Sequence, residues 1–342
     1  MMHGRQIAKM AIEQKQPPRL PVALIAGGEW YVHMAGQTFA QIINNPELIA
    51  NVFVNGFNLV GQDLLWTGAG LLNYPIHFLG CPIMDGSSAS PALTGTVIYG
   101  LDEISSLQID RVIKNPTMQG IIDAHHLVAD AIGKLTLIMP TLWGPFTTAA
   151  RILGAEALML ATVEDSKRLQ NLISLSSELI WSIADPMLNH PDILGLNISE
   201  PVASGDLISP AAFRRFVAPF LKDITRRTKR LNKFASLHIC GNTTPILEDI
   251  LEIRPDCFSI EAKVDLQDAR NVLGGKVCVL GNLSPTGAFL SGPPSEVIRG
   301  AKECTQAWGD PVGYMLTVGC DFPKEVPLEN VKALMSCQSS TI

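Results

Sequence analysis

Two side chains with metal-binding chemistry stand two positions apart in the segment "SLHICGNTTPILEDI": the imidazole of His238 and the thiol of Cys240. The run before them, "FASLHIC", is short and apolar, and the "GNTT" after them opens a loop before a helical pattern begins. In an extended strand residues i and i+2 point to the same side, so His238 and Cys240 aim at one point. A third candidate, Cys320, closes a different apolar run, "YMLTVGC". One imidazole and two thiolates suit Zn²⁺, a soft-tolerant, tetrahedral ion without redox demands. Three protein ligands with an exchangeable fourth position is the pattern of catalytic zinc. The same residues also fit a plainer reading, in which two ordinary buried thiols accompany a hydrogen-bonded core histidine. Placement in the fold decides between the two.

The elements that must position these groups are visible as eight short runs rich in Val, Ile and Leu. They are "PVALIAG" from Pro21, "GQDLLWTG" from Gly61, "LTLIMPT" from Leu135, "ILGLNISE" from Ile193, "FASLHIC" from Phe234, "CFSIEA" from Cys257, "KVCVLGN" from Lys276 and "YMLTVGC" from Tyr314. The second is interrupted by Gln62 and Asp63. Helical patterns lie between most of them. "PELIANVFVNGFNLV" begins with Pro46, and "SPAAFRRFVAPFLKDITRRTKRL" offers Ser209 as N-cap and Pro210 at N1. Repeated strand–helix alternation predicts a (β/α)8 TIM barrel, formed by residues 1–342 as a single domain. A doubly wound sheet lacks support, because no G-x-G-x-x-G follows the first strand. The stretch from Tyr74 to Asp110 reads as an elaborated loop after the second strand, with room for a hairpin.

Barrel active sites lie at the C-terminal strand ends. Those ends carry Glu29, Asp63, Trp143, Glu200, His238, Cys240, Glu261, Asn282 and Cys320. Glu261 follows the sixth strand and is either a metal ligand or a solvated carboxylate. Asn282, in "GNLSP", is a candidate to bond a substrate or orient a ligand, and equally a turn residue. Glu200 and Asn282 are the catalytic candidates. Glu29, Trp30, Tyr31, His33, Tyr74, His77 and Trp143 are candidates for the substrate wall, against the alternative of simple loop packing. Cys257, Cys278, Cys304 and Cys337 lack neighbours suited to ligation and read as core or surface thiols. His125 and His126 fall in a helical stretch away from the strand ends.

The chain has 342 residues, 47% hydrophobic and 17% charged, which suits a large enzyme with a well-buried core. A net charge of −6 without a basic run speaks against nucleic acid as a partner. No apolar run reaches membrane-spanning length, and the first residues, charged throughout, do not form a secretory signal. Seven scattered cysteines do not make a disulfide framework, so a reducing cytoplasm is expected.

Four blocks in order carry a family resemblance: "GPFTTAARILG" from Gly144, "ISEPVASGDLISPAAFRRFVAPFLKDI" from Ile198, "SLHICGNTTPILEDI", and "VCVLGNLSP" followed by "GYMLTVGCDFPKEVPLENVKAL". Together they resemble the uroporphyrinogen decarboxylase superfamily, and within it the zinc-dependent methylcobamide:coenzyme M methyltransferases. The resemblance implies a (β/α)8 barrel with Zn²⁺ held by His238, Cys240 and Cys320, and Glu261 as a removable fourth ligand. It implies methyl transfer between cobalamin on a separate corrinoid protein and a small thiol, with a homodimer admitted. The alternative direction takes a methyl group from a small ether or thioether to Co(I). Two departures stand out. The arginine-rich N-terminal segment of the decarboxylases is missing, with no Arg in "LPVALIAGGEWYVHMAGQTF" after Arg19, so porphyrinogen decarboxylation is disfavoured. Glu200 stands where these families more often show Asp. Cations at strand ends are few, with Arg151, Lys263 and Lys324 as candidates for a sulfonate, and no D-x-H-x-x-G corrinoid motif is present.

Overall fold

The computed structural model describes residues 2–86 and 89–339. Eight parallel strands form one sheet in sequence order. They are β1 (Ala23–Leu24), β2 (Leu64–Thr67), β3 (Leu137–Trp143), β4 (Gly195–Ser199), β5 (Phe234–His238), β6 (Cys257–Ser259), β7 (Cys278–Leu283) and β8 (Tyr314–Val318). A parallel bridge between Val22 and Leu316 brings the last strand back to the first. Each strand overlaps one of the eight apolar runs, with β3 and β7 extending one or two residues beyond theirs, and helices surround the sheet, as a (β/α)8 barrel requires.

The register stacks Asn197, Ser236, Cys257 and Cys278 as successive neighbours across β4 to β7. The interior is filled by Ala23, Leu64, Leu137, Met139, Leu280 and Met315, all fully buried. An N-terminal helix, Gly4–Ile12, closes the lower end by packing Ala8, Ala11 and Ile12 into that cluster. Asp63 belongs to this lower end. It precedes β2, is fully buried, and is gripped by Arg19 through two bonds of 2.6 and 2.7 Å. Its expected position at the mouth is therefore corrected, and Arg19 is committed to it.

Local signals set the helices. The Asn45 side chain accepts from the Leu48 N–H ahead of Pro46–Val60, and Ser209 does the same for Ala212. The helix expected to run on from Ser209 is two helices, Pro210–Phe216 and Ala218–Arg230, with Val217 at the break. Pro219 contributes, since it lacks the N–H that would bond the Arg215 carbonyl across the break. The long loop after β2 contains the helix Tyr74–Phe78 and a short antiparallel hairpin, Ile83–Met84 with Ala92–Leu93. Among the described residues no single helix is long and apolar enough to cross a membrane.

Candidate metal centre at the barrel mouth

β5 ends at His238, and Cys240 follows two residues later, so both side chains leave the strand on its inner face. Cys320 follows β8, which lies three strands away around the barrel. Closure of the barrel brings the three together. His238 Nε2 is 3.2 Å from Cys240 Sγ and 3.8 Å from Cys320 Sγ, and the two sulfurs are 3.5 Å apart. Tetrahedral zinc bonds of about 2.3 Å to sulfur and about 2.0 Å to nitrogen give edges of roughly 3.8 Å for S···S and roughly 3.5 Å for N···S. The donor set fits zinc in both chemistry and spacing. Without a cation the Cys240 thiol and then burial raise the Cys320 pKa and keep it a neutral thiol. A bound cation would pull that pKa down and favour the thiolate.

The imidazole is held from behind. His238 Nδ1 lies 3.0 Å from Ser259 Oγ at the end of β6, and both residues are buried. With Nδ1 donating to Ser259, Nε2 is the free lone pair that faces the thiols. Trp66 of β2 packs edge-on against the ring at 6.1 Å. Gly241 makes the chain turn after Cys240. Its φ is +72°, and a Cβ there would lie 2.3 Å from Ser204 Oγ and 2.5 Å from Asp206 Oδ2.

A cavity of about 100 Å³ opens over the cluster, lined by His238, Cys240, Cys320, Trp66, Trp143 and Asp321, among others. Asp321 also lines the cavity and was not among the expected site residues. Its Oδ1 accepts the Gly27 and Phe322 N–H groups. The surrounding mouth desolvates the carboxyl and raises its pKa, although the cavity leaves part of the side chain accessible. Its signal was the sequence "GCD", where an acid directly follows a ligand.

The remaining candidates separate clearly. Trp143 lines the cavity, its indole N–H bonded to Asn73 at 2.9 Å. Glu261 sits on the loop after β6, but its carboxylate does not join the three groups whose ligand atoms lie within 4.8 Å of one another. Asn282 is a fastener: its Nδ2 donates to the carbonyls of Glu261 and Val264 at 3.1 and 2.7 Å. Glu200 is buried away from the cavity. Its two oxygens accept the Phe146 and Thr147 N–H groups at 2.9 and 2.8 Å, capping the helix Pro145–Leu153. Burial pushes its pKa up to about 7, against those two donors, which pull it down. Glu29 accepts the Ser90 N–H at 2.7 Å and does not line the cavity.

Five of the expected wall residues pack elsewhere, which corrects that expectation. Trp30 is fully buried, and its N–H reaches the Val326 carbonyl. Tyr31 packs between Trp30 and Phe53 and accepts from Gln62. Tyr74 bonds Asp85 and stacks on Phe78, His77 Nδ1 meets the Cys81 carbonyl, and His33 is exposed. The aromatic rings served loop packing because the segments after β1 and β2 form helices with their own apolar faces.

The uroporphyrinogen decarboxylase (URO-D) family profile matches residues 5–340. The chain belongs to this family. Within it, a methylcobamide:CoM methyltransferase of Methanosarcina barkeri (MtaA) is 26% identical over 337 residues, covering 96% of this chain and 95% of its own. A second such methyltransferase, from Methanosarcina mazei (MtbA), is 26% identical over 330 residues, covering 95% of this chain and 94% of its own. Uroporphyrinogen decarboxylase of Coxiella burnetii is 28% identical over 134 residues, only 38% of this chain and 37% of its own. In structure, a methyltransferase from Methanosarcina mazei superposes with a TM-score of 0.88 at 24% identity, covering 99% of this chain and 98% of that one. That likeness confirms the barrel.

Proposed function

We propose that this URO-D family member is a methyltransferase that moves a methyl group between a separate corrinoid protein and a small thiol, with Zn²⁺ at His238, Cys240 and Cys320. The observation that carries the proposal is the spacing of these three donors at the barrel mouth under an open cavity. The long relatives named for methyl transfer support it, since their match runs through the cluster and over the whole barrel. Bound there, zinc would lower the pKa of a substrate thiol so that it reacts as thiolate at neutral pH.

The chain's own residues supply the rest. Cys240 and Cys320 bring negative charge, which keeps an incoming sulfur electron-rich and favours methylation of the thiol over removal of a methyl from a thioether. Ser259 holds the His238 ring, and with Nδ1 donating to its hydroxyl the Nε2 lone pair is left for the metal. Trp66 and Trp143 exclude water from one side of the cavity. Asn282 holds the Glu261 loop through the Glu261 carbonyl, and Glu261 is the proposed removable fourth ligand. The balance of the transfer is simple. The sulfur lone pair forms the S–CH₃ bond, the Co–C bond pair stays on cobalt, Co(III) becomes Co(I), and the thiol proton goes to solvent. Porphyrinogen decarboxylation fits poorly, because a substrate with many carboxylates needs cations that the cavity walls do not present. We further propose that residues 1–342 act as one cytoplasmic domain.

The test is metal analysis of the purified protein together with methylcobalamin demethylation by a panel of thiols. About one zinc per chain and thiol-dependent loss of the methyl–cobalt absorbance are expected. Zinc-free protein that demethylates nothing, even after zinc is supplied, would end the proposal.

A further inference from the structure

We infer that the substrate brought to this centre is an uncharged thiol, and that the cavity discriminates against thiols bearing a sulfonate or carboxylate. The inference rests on the methyl-transfer reading above and adds the class of acceptor. It departs from coenzyme M, the sulfonate thiol in the names of the relatives.

Among the described residues, the cavity over the cluster has no Lys or Arg in its lining. Its walls are built from Ile25, Leu72, Trp66 and Pro201, with the Thr141 and Ser199 hydroxyls as neutral polar points. The acidic side chain on it is Asp321. Protonated or ionised, that carboxyl offers no positive charge, and its Oδ1 already takes the nearby Gly27 and Phe322 N–H groups. An anion moved from water into such a wall loses its hydration without gaining a partner. Sites made for sulfonates and carboxylates supply a guanidinium fork or a nest of N–H groups.

The cation that touches the wall does so from outside. The Arg151 guanidinium stacks over the Trp143 ring at 5.6 Å from its centroid, and it lines a different cavity with Thr96, Gly154 and Val202. Trp143 therefore stands between this charge and the metal centre, pinned by its bond to Asn73. Lys263 is held by Asp206 at 2.8 Å on the loop side. A short thiol with its sulfur at the cluster has its other end among Leu72, Trp66 and Thr141, where size and hydroxyl pairing can be read and negative charge finds no partner.

The experiment compares near-isosteric acceptors on the zinc-loaded full chain: ethanethiol and 2-mercaptoethanol against 2-mercaptoethanesulfonate and mercaptoacetate. Methyl transfer from methylcobalamin gives kcat/KM, and calorimetric titration gives Kd independently of turnover. The neutral thiols are expected to lead by at least about tenfold in both, a difference of about 1.4 kcal/mol. Leu72→Arg, which places a guanidinium on the cavity wall, should shift the order toward the sulfonate. Arg151→Met should leave the wild-type order unchanged. A wild-type protein that uses or binds the sulfonate as well as the neutral thiols overturns the inference, as does loss of sulfonate use in Arg151→Met. In either case methyl transfer itself still stands, whereas failure to methylate any thiol removes both readings together.

Discussion

Removing a single oxygen behind the metal centre tests whether the histidine is held ready for a cation. In Ser259→Ala the His238 Nδ1 loses its acceptor, 3.0 Å away, in a place where His238 is 5% exposed and Ser259 fully buried. A buried donor left unmet costs about 1–3 kcal/mol. The metal-free protein can avoid part of this by moving the ring proton to Nε2, where Cys240 Sγ lies 3.2 Å away. The metal-bound form has no such escape, because Nε2 is then a ligand and the proton must stay on Nδ1. Most of the cost therefore falls on metal affinity, as zinc binding weakened by about 10–100-fold. Competition with a chromophoric chelator at fixed pH measures this directly. Thermal unfolding of the metal-free variant shows whether the damage is general, and a small change there is expected. Zinc affinity unchanged within about twofold in Ser259→Ala, beside clear weakening in Cys320→Ala, would refute the argument that Ser259 selects the ligating tautomer.

Cys240→Ala and Cys320→Ala should each abolish stoichiometric zinc, read by elemental analysis, while the metal-free melting temperature stays within a few degrees because both thiols are half-exposed. Glu200→Gln turns an amide NH₂ toward one of two backbone donors and should destabilise the protein by about 1–2 kcal/mol in denaturant unfolding, without changing zinc content. The same residue makes a pH signature. Its pKa is raised by burial to about 7, so the folded state keeps a proton that the unfolded chain releases near the usual carboxylate range. Its contribution is therefore greatest at low pH and is lost as pH rises through 7, at most about 3 kcal/mol; unfolding curves of wild type and Glu200→Gln across pH 4.5–8 should converge or cross accordingly. Arg19→Met strands the fully buried Asp63 carboxylate and should cost about 3–5 kcal/mol, most of it recovered when Asp63→Leu is added.

The barrel was legible because buried parallel strands leave near-continuous apolar runs, and each of the eight coincides with one to within two residues. The cluster was legible for a related reason. His238 and Cys240 share a strand face by local geometry, and Cys320 follows from closure of the same sheet. What stayed hidden depends on side-chain direction in irregular segments. Trp30 and Tyr74 look like mouth aromatics by position, yet each turns into a helix-packed core. Glu200 looks catalytic by strand-end placement, yet two N–H donors of the next helix capture it. Asp63 was read at the wrong end of its strand because the polar interruption was taken into the apolar run. Arg19, 44 positions earlier, explains why an acid can be buried there.

The end of β5 is clamped from both neighbours, which bears on how the metal centre works. On one side the Glu200 N–H donates to the His238 carbonyl at 2.8 Å, continuing the β4 ladder past the last strand residue. On the other, Ser259 of β6 meets the ring. Beyond Cys240, Asp206 receives both the Asn242 N–H and Lys263, tying the loops after β4, β5 and β6 into one rim. Gly319 completes the approach from β8, because a Cβ there would lie 3.0 Å from the Glu261 Cα. Donors from two separate strand ends would otherwise lose conformational freedom when a cation ordered them. Here the backbone has already been ordered by bonds that do not involve a metal, so little reorganisation opposes binding. The fourth coordination position differs in kind. Glu261 is held through its carbonyl, which accepts from Asn282 Nδ2 and the Val264 N–H, while its carboxylate stands outside the three-donor cluster. On the proposed function, a pre-ordered three-donor base whose fourth partner comes from a different loop suits a centre that exchanges that partner in each turnover without losing its metal.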